Sequence, residues 1–483
     1  MSTSIVKCRT QAQITPLGVD CETPMFSWQM AASRTGAKQS AYRIIVSKDK
    51  TMTPIIWDSN IVKSYIQHTA LTADCTKLES STRYYWKVFV WDEENMMHES
   101  EVTWFETGLM GKDASVWNNA QWIGSPKQTT NTDCLYSYQM NVDFKTDIGN
   151  KAGIVLSARN KDNYVLFDVD MDNRTLMIYE YCDNAWDGST KEGHLPTVTI
   201  LGSKVGYIIS KEAVSEGLEH DWNTISITVD NRDLSVSINN VTVIQKEADL
   251  MPNAGFFVPR RGCLFSIGFK QLGSTAYYDN LVISEPKTNT VFQNESFSDE
   301  SGIFSVLGSC KDGILTVKNQ FELACPIPAI NLLCTFHANP SKKIASARLY
   351  ATARGSYRVK VNGIDADGSF FAPGFTDYRL RIFYQTYDVT NLLHEGENQL
   401  LATVGKGYYN GYCGYSGPMK YGEQNSFMGR MIVTYTDGSK DELVTDNSWL
   451  FTDKGAVVDS DYLDGENYDA RLLPNDLSHI DNS

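Results

Sequence analysis

The chain has 483 residues, of which 42% are hydrophobic and 21% are charged, and it carries a formal net charge of −15 at pH 7. Its length suggests about three domains, and its composition is that of a folded globular protein, not a disordered one. The negative charge argues against nucleic acid and anionic membranes as partners, because both favour a basic surface. It suits a neutral ligand or a metal cation.

The cysteines and the first residues bear on the compartment. Ten cysteines are scattered without a CxxC pair or a Cys-His zinc spacing, which is typical of reduced thiols in a cytosolic protein. The beginning, MSTSIVKCRTQAQITPLG, lacks the apolar run of a signal peptide, and no window of about 18 apolar residues predicts a membrane span. The sequence therefore favours a cytoplasmic protein, or a secreted or periplasmic one if a leader had been removed.

Alternation of side-chain character with a period of two dominates the chain and predicts a strand about every ten residues. RYYWKVFVWD (83–92) is apolar on both faces, which is typical of a strand inside a sandwich. TISITVDNRDLSVSINNVTVI (224–244) predicts three short strands, and GRMIVTYTDGSKDELVTD (429–446) predicts a hairpin. The expected fold is therefore all-β, with tandem β-sandwiches.

Polar, turn-rich segments divide the chain. TGLMGKDASVWNNAQWIGSPKQTTNTD (107–133) predicts a linker fastened by Trp117 and Trp122, and SEPKTNTVFQNESFSDESG (284–302) predicts a second break. The expected organisation is a first sandwich, a linker, an inserted sandwich, a connecting segment, a third sandwich and a tail, at 1–110, 111–133, 134–287, 288–325, 326–475 and 476–483.

Ordered landmarks in the first and third pieces resemble a known family. They are TPLGVDCETPMFSWQM (15–30), TRYYWKVFVWDEE (82–94), AQWIG (120–124), APGFTDYRLRIFYQTYDVTNLLHEGENQL (372–400), VGKGYYNG (404–411) and DGENYDARL (464–472). Their order is similar to the amino-terminal region of bacterial α-L-rhamnosidases of glycoside hydrolase family 78. The resemblance implies a fibronectin-III-like domain, a rhamnosidase amino-terminal jelly roll, and a whole enzyme that removes terminal α-L-rhamnosyl residues from glycosides or polysaccharides.

The resemblance also implies which part of such an enzyme this is. In the family, the general acid and base lie in an (α/α)₆ barrel that follows the third piece, and no helical-barrel pattern occurs in these 483 residues. We therefore expect a non-catalytic amino-terminal half with no catalytic residue, whose partner is the missing carboxyl-terminal catalytic domain. Such a chain would be an engineered fragment or the product of a truncated gene.

The second piece stands where some family members carry an inserted carbohydrate-binding module of family 67. YSYQMNVDFKTDIGNKAGIVLSARNKDNYVLFDVDM (136–171) and TAYYDNLVI (275–283) resemble a concanavalin/laminin-G-type jelly roll. In the family 67 module, an Asp-Asn pair binds a calcium ion and a later Trp lines the L-rhamnose site. The matching positions are Asp162 and Asn163, as metal and sugar ligands, and Trp186 as a sugar contact. The implied partner is L-rhamnose or a rhamnose-containing glycan.

Each of these residues has a plainer interpretation. Calcium takes six to eight oxygen ligands, so the Asp-Asn pair would need carbonyl, water or sugar oxygens to complete its shell. A hairpin turn alone also explains Asp-Asn, and Trp186 could instead fold back over the sheet edge. The further acidic or amide candidates close to the Trp are Asp183, Asn184 and Asp187.

A carboxylate cluster keeps a second function open. DGENYDAR (464–471) contains Asp464, Glu466 and Asp469, and glycoside hydrolysis needs two carboxylates about 5–9 Å apart. An intact glycosidase that uses this cluster is therefore an alternative, with a loop of salt bridges as the plainer interpretation. A third hypothesis is a structural scaffold that binds no sugar.

Two aromatic segments lie in the third piece. In APGFTDYR (372–379), Pro373 and Gly374 predict a turn, and Asp377 with the arginines that follow it predicts a solvated or domain-facing surface. GKGYYNGYCGYSGPMKYG (405–422) is rich in glycine and tyrosine. It predicts an aromatic loop that either contacts substrate in a neighbouring active site or packs between domains.

Overall fold

A computed structural model of the chain shows an almost entirely β architecture. It describes residues 3–72, 77–111, 113–124, 137–160, 163–182, 197–230, 232–251, 267–271, 273–297, 310–318, 321–323, 329–411, 413, 420–422, 424–453, 455–463, 465–468 and 470. Within these ranges the helices are two 3₁₀ turns, Ala114–Trp117 and Thr390–Leu392, and one α-helix, α1 (Gly407–Asn410). None of the described helices is long and apolar enough to span a membrane. The all-β prediction is confirmed.

The first sandwich contains nine strands: β1 (Thr3–Thr10), β2 (Met25–Ala32), β3 (Gln39–Ser47), β4 (Ile55–Asp58), β5 (Val62–Lys63), β6 (His68–Ala70), β7 (Arg83–Asp92), β8 (Met97–Glu99) and β9 (Thr103–Glu106). One sheet has the order β1-β2-β6, and the other has the order β4-β3-β7-β8 with β5 and β9 at its edges. Alternation in β7 turns Tyr84, Trp86, Val88 and Val90 into the core. The opposite face of β7 is only half-buried.

The polar atoms of the buried tryptophans in this core are paired. The Trp86 indole donates a hydrogen bond to the Thr10 hydroxyl over 3.0 Å, and Trp28 donates to the Gln39 amide oxygen over 2.9 Å. A buried indole N–H without a partner would cost about 1–3 kcal/mol. These bonds let the two large rings fill the space between the sheets and fix the relative position of the sheets.

The segment after the first sandwich is fastened to the third sandwich. The 3₁₀ turn Ala114–Trp117 is capped by Asp113, whose carboxylate accepts from the Ser115 N–H. Strand β10 (Ile123–Gly124) then pairs antiparallel with Ser426–Phe427, far along the chain. This short strand is the first element of the third sandwich, although about three hundred residues separate it from its partner strand.

The second sandwich follows β10 and contains β11 (Ser137–Thr146), β12 (Lys151–Asn160), β13 (Asn163–Asp170), β14 (Thr175–Cys182), β15 (Thr197–Leu201), β16 (Tyr207–Ile208), β17 (Asn223–Asp230), β18 (Asp233–Ile238), β19 (Val241–Glu247), β20 (Gly268–Lys270), β21 (Thr275–Ser284), β22 (Val291–Glu295), β23 (Cys310–Lys311), β24 (Ile314–Lys318) and β25 (Phe321–Leu323). Its two sheets have the orders β19-β18-β17-β11-β21-β24-β23 and β15-β14-β13-β12-β20-β25. The main apolar core of the module lies between them.

The structure differs from the sequence-based expectation for 288–325. That segment, expected to be a connection, supplies β22, β23, β24 and β25, which pair with β21, β24, β21 and β20 respectively. The reason is visible in β24, where Leu315 and Val317 alternate into the core of the second sandwich and are fully buried. The second sandwich therefore continues to Leu323.

The third sandwich contains β26 (Ile330–Ala338), β27 (Ile344–Arg354), β28 (Ser356–Val361), β29 (Ile364–Asp365), β30 (Gln385–Asp388), β31 (Gly396–Gly405), β32 (Ser426–Tyr435), β33 (Lys440–Val444), β34 (Leu450–Thr452), β35 (Val457–Asp461) and β36 (Gly465–Tyr468). One sheet has the order β10-β32-β27-β30 and the other β29-β28-β31-β26-β34, while β35 and β36 form a separate ribbon. Since β10 precedes the second sandwich and β26 follows it, the second sandwich is an insertion within the third.

An apolar cluster joins the first and third sandwiches. Leu109 and Trp117 from the linker pack with Tyr350, Met428 and Ile432 of the third sandwich. The linker prediction for Trp117 thus agrees with the structure, since its ring also meets the Tyr384 ring edge-on at 5.6 Å. Because these apolar side chains leave water when the two sandwiches are in contact, they favour one relative position of the two domains.

A polar network continues the same seam. The Arg348 guanidinium contacts the Glu106 carboxylate at 2.5 Å, and Arg83 contacts the same carboxylate at 3.0 Å. The Tyr384 hydroxyl accepts from the Leu109 N–H over 2.8 Å and donates to Asp20 over 2.5 Å. Side chains that are far apart in the sequence thus hold the first sandwich against the third.

Candidate functional site

The second sandwich has a second, smaller apolar cluster on the side of one sheet that faces away from its core. Val155, Tyr164 and Leu166 are buried there, and Tyr179 and Tyr181 pack against them. They share this face because alternate residues of β12, β13 and β14 point away from the core. We call the side of the sheet β15-β14-β13-β12-β20-β25 that carries these five residues the outer face.

Two tyrosines and a lysine form a stack on the outer face. The register of β13 and β14 places Tyr164 opposite Tyr181, and their rings stack at 4.5 Å with an interplanar angle of 14°. The Lys270 ammonium lies 4.5 Å from each ring centroid and also donates to the Tyr164 hydroxyl. Cation–π attraction of this kind strengthens when the cation is partly removed from water.

Two carboxylates lie further along β13, beyond Tyr164 and Leu166. The Lys151 ammonium contacts Asp168 at 3.0 Å and Asp170 at 3.5 Å. Burial raises the pKa of Asp168, because desolvation penalises the charged form, and the hydrogen bond from Lys151 only partly offsets it. This part of the face therefore offers hydrogen-bonding groups beside an aromatic surface.

The edge of the outer face is apolar and open to water. Val198 is 49% and Ile200 is 40% exposed, and the register of β15 places them opposite Tyr181 and Tyr179. Aromatic and aliphatic surface beside a few polar groups is the usual composition of a small-molecule site. A pyranose ring matches it, because its C–H face stacks on aromatic surface while its hydroxyls bond to polar groups.

Of the predicted metal and sugar residues, Asn163 is the one that the structure describes. Asp162 and Trp186 lie outside the described residues, as do Asp183, Asn184 and Asp187. Asn163 begins β13, and its backbone pairs with that of Asn160. The register puts the start of β13 and the end of β14, at Cys182, at the same end of the sheet.

The His, Cys, Asp and Glu side chains of the described residues do not form a metal-binding cluster. Among them, no group of three or more His, Cys, Asp or Glu side chains is placed to hold a metal ion. The site predicted from the sequence does not depend on such a group, because its donors would be one carboxylate and one amide oxygen at adjacent positions. Calcium takes both kinds of oxygen ligand.

The third sandwich carries a different candidate surface, which we call the aromatic platform. Its members lie on three segments that are distant in sequence and meet at one end of the sandwich: Phe370, Phe371, Phe375, Tyr378, Tyr408, Tyr409, Tyr421 and Tyr462. The predicted aromatic segments 372–379 and 405–422 thus come together here. The turn that precedes 464–471 joins them through Tyr462.

The rings of the aromatic platform form a continuous series of contacts. Tyr462 lies 5.2 Å from Phe371 and 4.3 Å from Tyr408, and Tyr408 lies 4.9 Å from Phe375. Tyr378 then meets Tyr421 at 5.1 Å. Burial raises the pKa of Tyr378 and of Tyr462, so the tyrosines form the inner part of the platform.

The outer part of the platform is exposed and apolar. Phe370, Phe371 and Phe375 are 64%, 66% and 53% exposed. Further exposed apolar side chains near the first and third of these segments are Leu380, Phe383, Leu463 and Tyr468. Scattered exposed apolar residues are normal on a protein surface, but large contiguous apolar patches mark interaction sites, and Phe370, Phe371 and Phe375 are linked by ring contacts within the platform.

Cations rim the platform. The Arg358 guanidinium lies 4.9 Å from the Phe370 ring centroid, and Arg381 lies 5.1 Å from that of Phe383. Arg379 pairs with Asp377 at 2.6 Å, and hydrogen bonding from this guanidinium lowers the pKa of Asp377 to about 2. A turn follows the predicted one at Pro373 and Gly374: the Asp377 carbonyl accepts from the Leu380 and Arg381 N–H groups over 2.9 and 3.0 Å.

The carboxylate cluster at 464–471 is only partly described. Glu466 lies on β36 and is exposed, whereas Asp464 and Asp469 lie outside the described residues. The separation that a pair of glycosidase carboxylates needs is therefore not defined by the described atoms. The alternative of an intact glycosidase remains a hypothesis.

Two family models match this chain, one at each end. The model of the α-L-rhamnosidase N-terminal domain matches residues 342–483, and that of the Rha78A-like N-terminal immunoglobulin domain matches residues 5–111. The second description is immunoglobulin where the sequence resemblance implied fibronectin III, and both describe β-sandwiches. Residues 112–341, which lie between the two matches, contain the inserted second sandwich.

Curated relatives and solved structures agree with these models. An α-L-rhamnosidase of Streptomyces avermitilis is 32% identical over 464 residues, which are 94% of this chain and 41% of that protein. One of Formosa agariphila is 38% identical over 133 residues, which are 27% of this chain and 14% of that protein. The chain thus spans less than half the length of the curated relatives that it matches.

Among solved structures, the S. avermitilis α-L-rhamnosidase complexed with L-rhamnose aligns with a TM-score of 0.57 and 23% sequence identity. The alignment includes 98% of this chain and 43% of that one. The α-L-rhamnosidase from Dictyoglumus thermophilum aligns with a TM-score of 0.51 and 18% identity. That alignment includes 98% of this chain and 32% of the other. At these identities the likeness establishes the fold.

The outer face is the feature that sequence reasoning missed. Its signal is present in NYVLFDVD (163–170), where Tyr164 and Leu166 alternate with the core residues Val165 and Phe167. A strand with apolar side chains on both faces is expected to have both faces covered by protein or in contact with a ligand. The Lys270 contact could not be predicted, because strand order is not contained in the alternation.

Proposed function

The chain corresponds to the amino-terminal region of an α-L-rhamnosidase of glycoside hydrolase family 78, and from this premise we propose that it positions and serves a catalytic unit without performing hydrolysis itself. In this proposal, the first and third sandwiches form a rigid support and the inserted second sandwich binds the carbohydrate. The whole enzyme would act on terminal α-L-rhamnosyl residues of glycosides or polysaccharides.

The outer face of the second sandwich is the observation that carries the binding part of the proposal. It combines stacked tyrosines, exposed Val198 and Ile200, and the Lys151–Asp168 pair on one sheet surface. These groups suit a neutral sugar, which needs apolar stacking and directional hydrogen bonds more than net charge. The net charge of −15 is compatible with such a ligand.

A calcium ion is part of this proposal. Asp162 and Asn163 would hold it through a carboxylate and an amide oxygen, which match the preference of calcium for oxygen ligands. When bound, the ion would supply a positive centre that accepts two vicinal sugar hydroxyls as further ligands. The chain's own residues would orient the sugar, with Trp186 stacking on its apolar face.

The support part of the proposal depends on the seam between the first and third sandwiches. Arg348 and Glu106 meet there with side chains that are 9% and 7% exposed, and an apolar cluster surrounds the linker. Buried apolar contacts and a buried ion pair between two domains restrict their relative motion. A fixed pair of sandwiches suits a positioning role.

Calorimetric titration with L-rhamnose tests the binding part, with and without a calcium chelator. We expect heat of binding that disappears with the chelator and in Asp162→Ala, and that weakens in Trp186→Ala. Tyr65→Ala is a matched control, because Tyr65 is an exposed aromatic side chain of the first sandwich. Absence of heat under all conditions would favour the structural scaffold, and binding unaffected by chelator would remove calcium from the proposal.

A nitrophenyl-rhamnoside assay tests the non-catalytic part. We expect no turnover from the 483-residue chain. Turnover that disappears in Glu466→Gln would instead favour the intact glycosidase, because Glu466 is the described member of the carboxylate cluster. This assay is independent of the titration, so the two parts of the proposal can fail separately.

A further inference from the structure

We propose that the second sandwich carries a further carbohydrate surface, which holds a neutral, linear polysaccharide chain without calcium. The surface lies on the water-facing side of the sheet β19-β18-β17-β11-β21-β24-β23, which is the sheet opposite the one that carries the outer face. This inference goes beyond the proposed function, which uses other residues, the other sheet, and L-rhamnose with calcium.

The register of β11 and β21 places a lysine and a tyrosine side by side on this surface. Phe144 and Tyr278 are fully buried in the core of the second sandwich. Because successive side chains of a strand point to opposite sides of the sheet, their neighbours Lys145 and Tyr277 lie on the water-facing side. Lys145 and Tyr277 are directly opposite each other in the pairing of the two strands.

Trp222 stands at the same level on the other side of β11. The register pairs Phe144 with Asn223, the first residue of β17, and one position further along it brings Trp222 beside Lys145. The chain still runs along β11 at this point, because the His220 ring Nδ1 atom lies 3.2 Å from the carbonyl oxygen of the last residue of β11. Trp222 is 42% exposed, so its indole is open to a ligand.

We call Trp222, Lys145 and Tyr277 the aromatic row. Neighbouring strands of a sheet lie about 5 Å apart, so the backbones of Trp222 and Tyr277 are separated by about 10 Å. This separation matches the length of a disaccharide unit, so that two sugar rings of one chain could each meet one aromatic side chain. The Tyr277 hydroxyl donates to Asp147 over 3.2 Å, which restricts the motion of the tyrosine ring.

Hydrogen-bonding groups lie two residues along the same strands, and we call Thr224, Asp143 and Asn280 the polar row. The Thr224 hydroxyl donates to one oxygen of the Asp143 carboxylate over 2.5 Å, and the Asn280 amide donates to the other over 2.9 Å. These two bonds hold the carboxylate in place. Each of its oxygens keeps a further lone pair, and a hydroxyl that donates to a carboxylate makes a strong hydrogen bond. The polar row is therefore preorganised to accept from sugar hydroxyls.

The composition of the surface favours a sugar chain over other partners. The core of a protein interface is a contiguous apolar patch, whereas here a lysine separates the two aromatic side chains and polar groups border them. The phosphates of a nucleic acid, or the carboxylates of an acidic polysaccharide, would meet Asp143 and Asp147 and be repelled. A neutral pyranose chain matches both rows, because its C–H faces stack on aromatic rings while its hydroxyls bond to the polar groups.

Calcium has no part in this surface. The ion takes six to eight oxygen ligands, and the polar row contributes a single carboxylate that is already bonded to two donors. Stacking and hydrogen bonds therefore carry the binding, which should persist when calcium is removed.

Affinity gel electrophoresis in the presence of a calcium chelator tests the proposal. The 483-residue chain would be run through gels that contain a β-glucan, a galactan, a mannan or an arabinan, which are neutral, and through a gel that contains polygalacturonate. We expect at least one neutral polymer to retard the chain and polygalacturonate to leave its migration unchanged. Retardation by none of the neutral polymers would overturn the proposal.

Variants assign the retardation to the surface. Trp222→Ala and Tyr277→Ala should each weaken the apparent affinity for the polymer by about tenfold, whereas Trp222→Phe, which keeps an aromatic ring, should retain most of it. Asp162→Ala should have no effect, because that residue belongs to the proposed calcium site. Ile208→Ala is the matched control, since Ile208 is 70% exposed on the other sheet of the same sandwich. Equal retardation of the unmodified chain and Trp222→Ala would contradict the assignment.

Two further measurements distinguish the alternatives. Sedimentation without polymer tests for a second copy of the chain, and self-association that Trp222→Ala abolishes would identify that copy as the occupant and overturn the proposal. Titration with L-rhamnose reports on the proposed function alone. Retardation in chelator without heat from L-rhamnose would support this surface and refute the calcium site, and heat from L-rhamnose without retardation would do the reverse.

Discussion

Arg348 and Glu106 form a buried ion pair across the seam between the first and third sandwiches, with the Arg348 Nε atom 2.5 Å from the Glu106 Oε1 atom. The two residues are separated by 242 positions in the sequence, and Arg83 and Asp388 extend the network on either side. Because both members are removed from water, each depends on the other for compensation. The pair therefore favours the one position of the first sandwich, relative to the third, in which both charges are compensated.

Removal of one member of this pair should be costly. We expect Arg348→Met to lower the free energy of unfolding by about 3–5 kcal/mol, because it leaves the Glu106 carboxylate buried without its main partner. Urea unfolding followed by tryptophan fluorescence measures the loss. Lys211→Met is the control, since the exposed pair of Lys211 and Glu216 should contribute about 0–1 kcal/mol.

A double variant separates the charge effect from the packing effect. Arg348→Met combined with Glu106→Gln should recover part of the loss, because both buried charges are then removed and the charges that lose a partner, Arg83 and Asp388, are more exposed to water. Additive losses in the two single variants and the double variant would mean that the two side chains stabilise the seam independently, contrary to this prediction.

Asp168 should titrate above its usual range. Burial raises its pKa, and the hydrogen bond from Lys151 opposes that shift, so Lys151→Met should raise the pKa further. Carbon-13 titration of the side-chain carboxyl carbon measures both values. Asp437 provides an internal comparison, because hydrogen bonds from Ser439 lower its pKa to about 2. An Asp168 midpoint at or below about 3.9, the usual aspartate value, would contradict the burial that the structure gives it.

The same residue should affect stability in a defined direction with pH. Its folded-state pKa lies above the unfolded value, so the folded state binds more protons between these two values. Stability is therefore fully present below the unfolded pKa and is lost as the pH rises through the folded pKa. Asp168→Asn should remove this decline, which urea unfolding at a series of pH values would detect as a flatter profile.

The stacked tyrosines should contribute to sugar affinity if the outer face lines the carbohydrate site. We expect Tyr181→Ala to weaken L-rhamnose binding by about tenfold, which corresponds to about 1.4 kcal/mol of lost stacking. Tyr181→Phe should keep most of the affinity, since it keeps the ring that faces Tyr164 at 4.5 Å. Unchanged affinity in Tyr181→Ala would place the sugar site elsewhere on the second sandwich.

Gly124 should be intolerant of any side chain. A Cβ atom at this position of β10 would lie 2.1 Å from the Asn425 carbonyl oxygen, so Gly124→Ala would break the pairing of β10 with β32. We expect a loss of about 1–3 kcal/mol, the usual cost of overpacking, measured by urea unfolding. Gly368→Ala is the matched control, because nothing lies within 4 Å of its added Cβ. A loss at Gly124 no larger than at Gly368 would contradict the close contact.

The two-residue period of apolar side chains predicted the all-β fold, because each long strand buries every second side chain. In β7 these buried side chains include Trp86 and Val88. Short strands escaped this reasoning. β23 has two residues and β25 three, too few for an alternation to be recognised. β24 has five, and its alternation of Leu315 and Val317 was overlooked among polar, turn-rich residues, so 288–325 was expected to be a connection. A fibronectin-III and an immunoglobulin sandwich share the same alternation, which cannot distinguish them.

The candidate surfaces were predictable only in part. A turn in APGFTDYR, followed by a charged surface that is solvated or faces another domain, was predicted from Gly374 and the charged residues after it. Its meeting with Tyr408 and Tyr462 was not predicted, because alternation assigns residues to faces but does not say which strands are neighbours. The same limit hid the contact between Lys270 and Tyr164, whose strands are not adjacent in the sheet.

The insertion of the second sandwich between β10 and β26 has a consequence for the order of folding. The third sandwich can close only when the chain on both sides of the insertion, at Gly124 and Ala329, comes together. An unfolded insertion would act as a long loop whose closure entropy grows with its length, by about 0.6 kcal/mol for each doubling. A second sandwich that has already folded shortens that effective loop. The inserted domain is thus expected to fold early and to act as a nucleus for the domain that surrounds it.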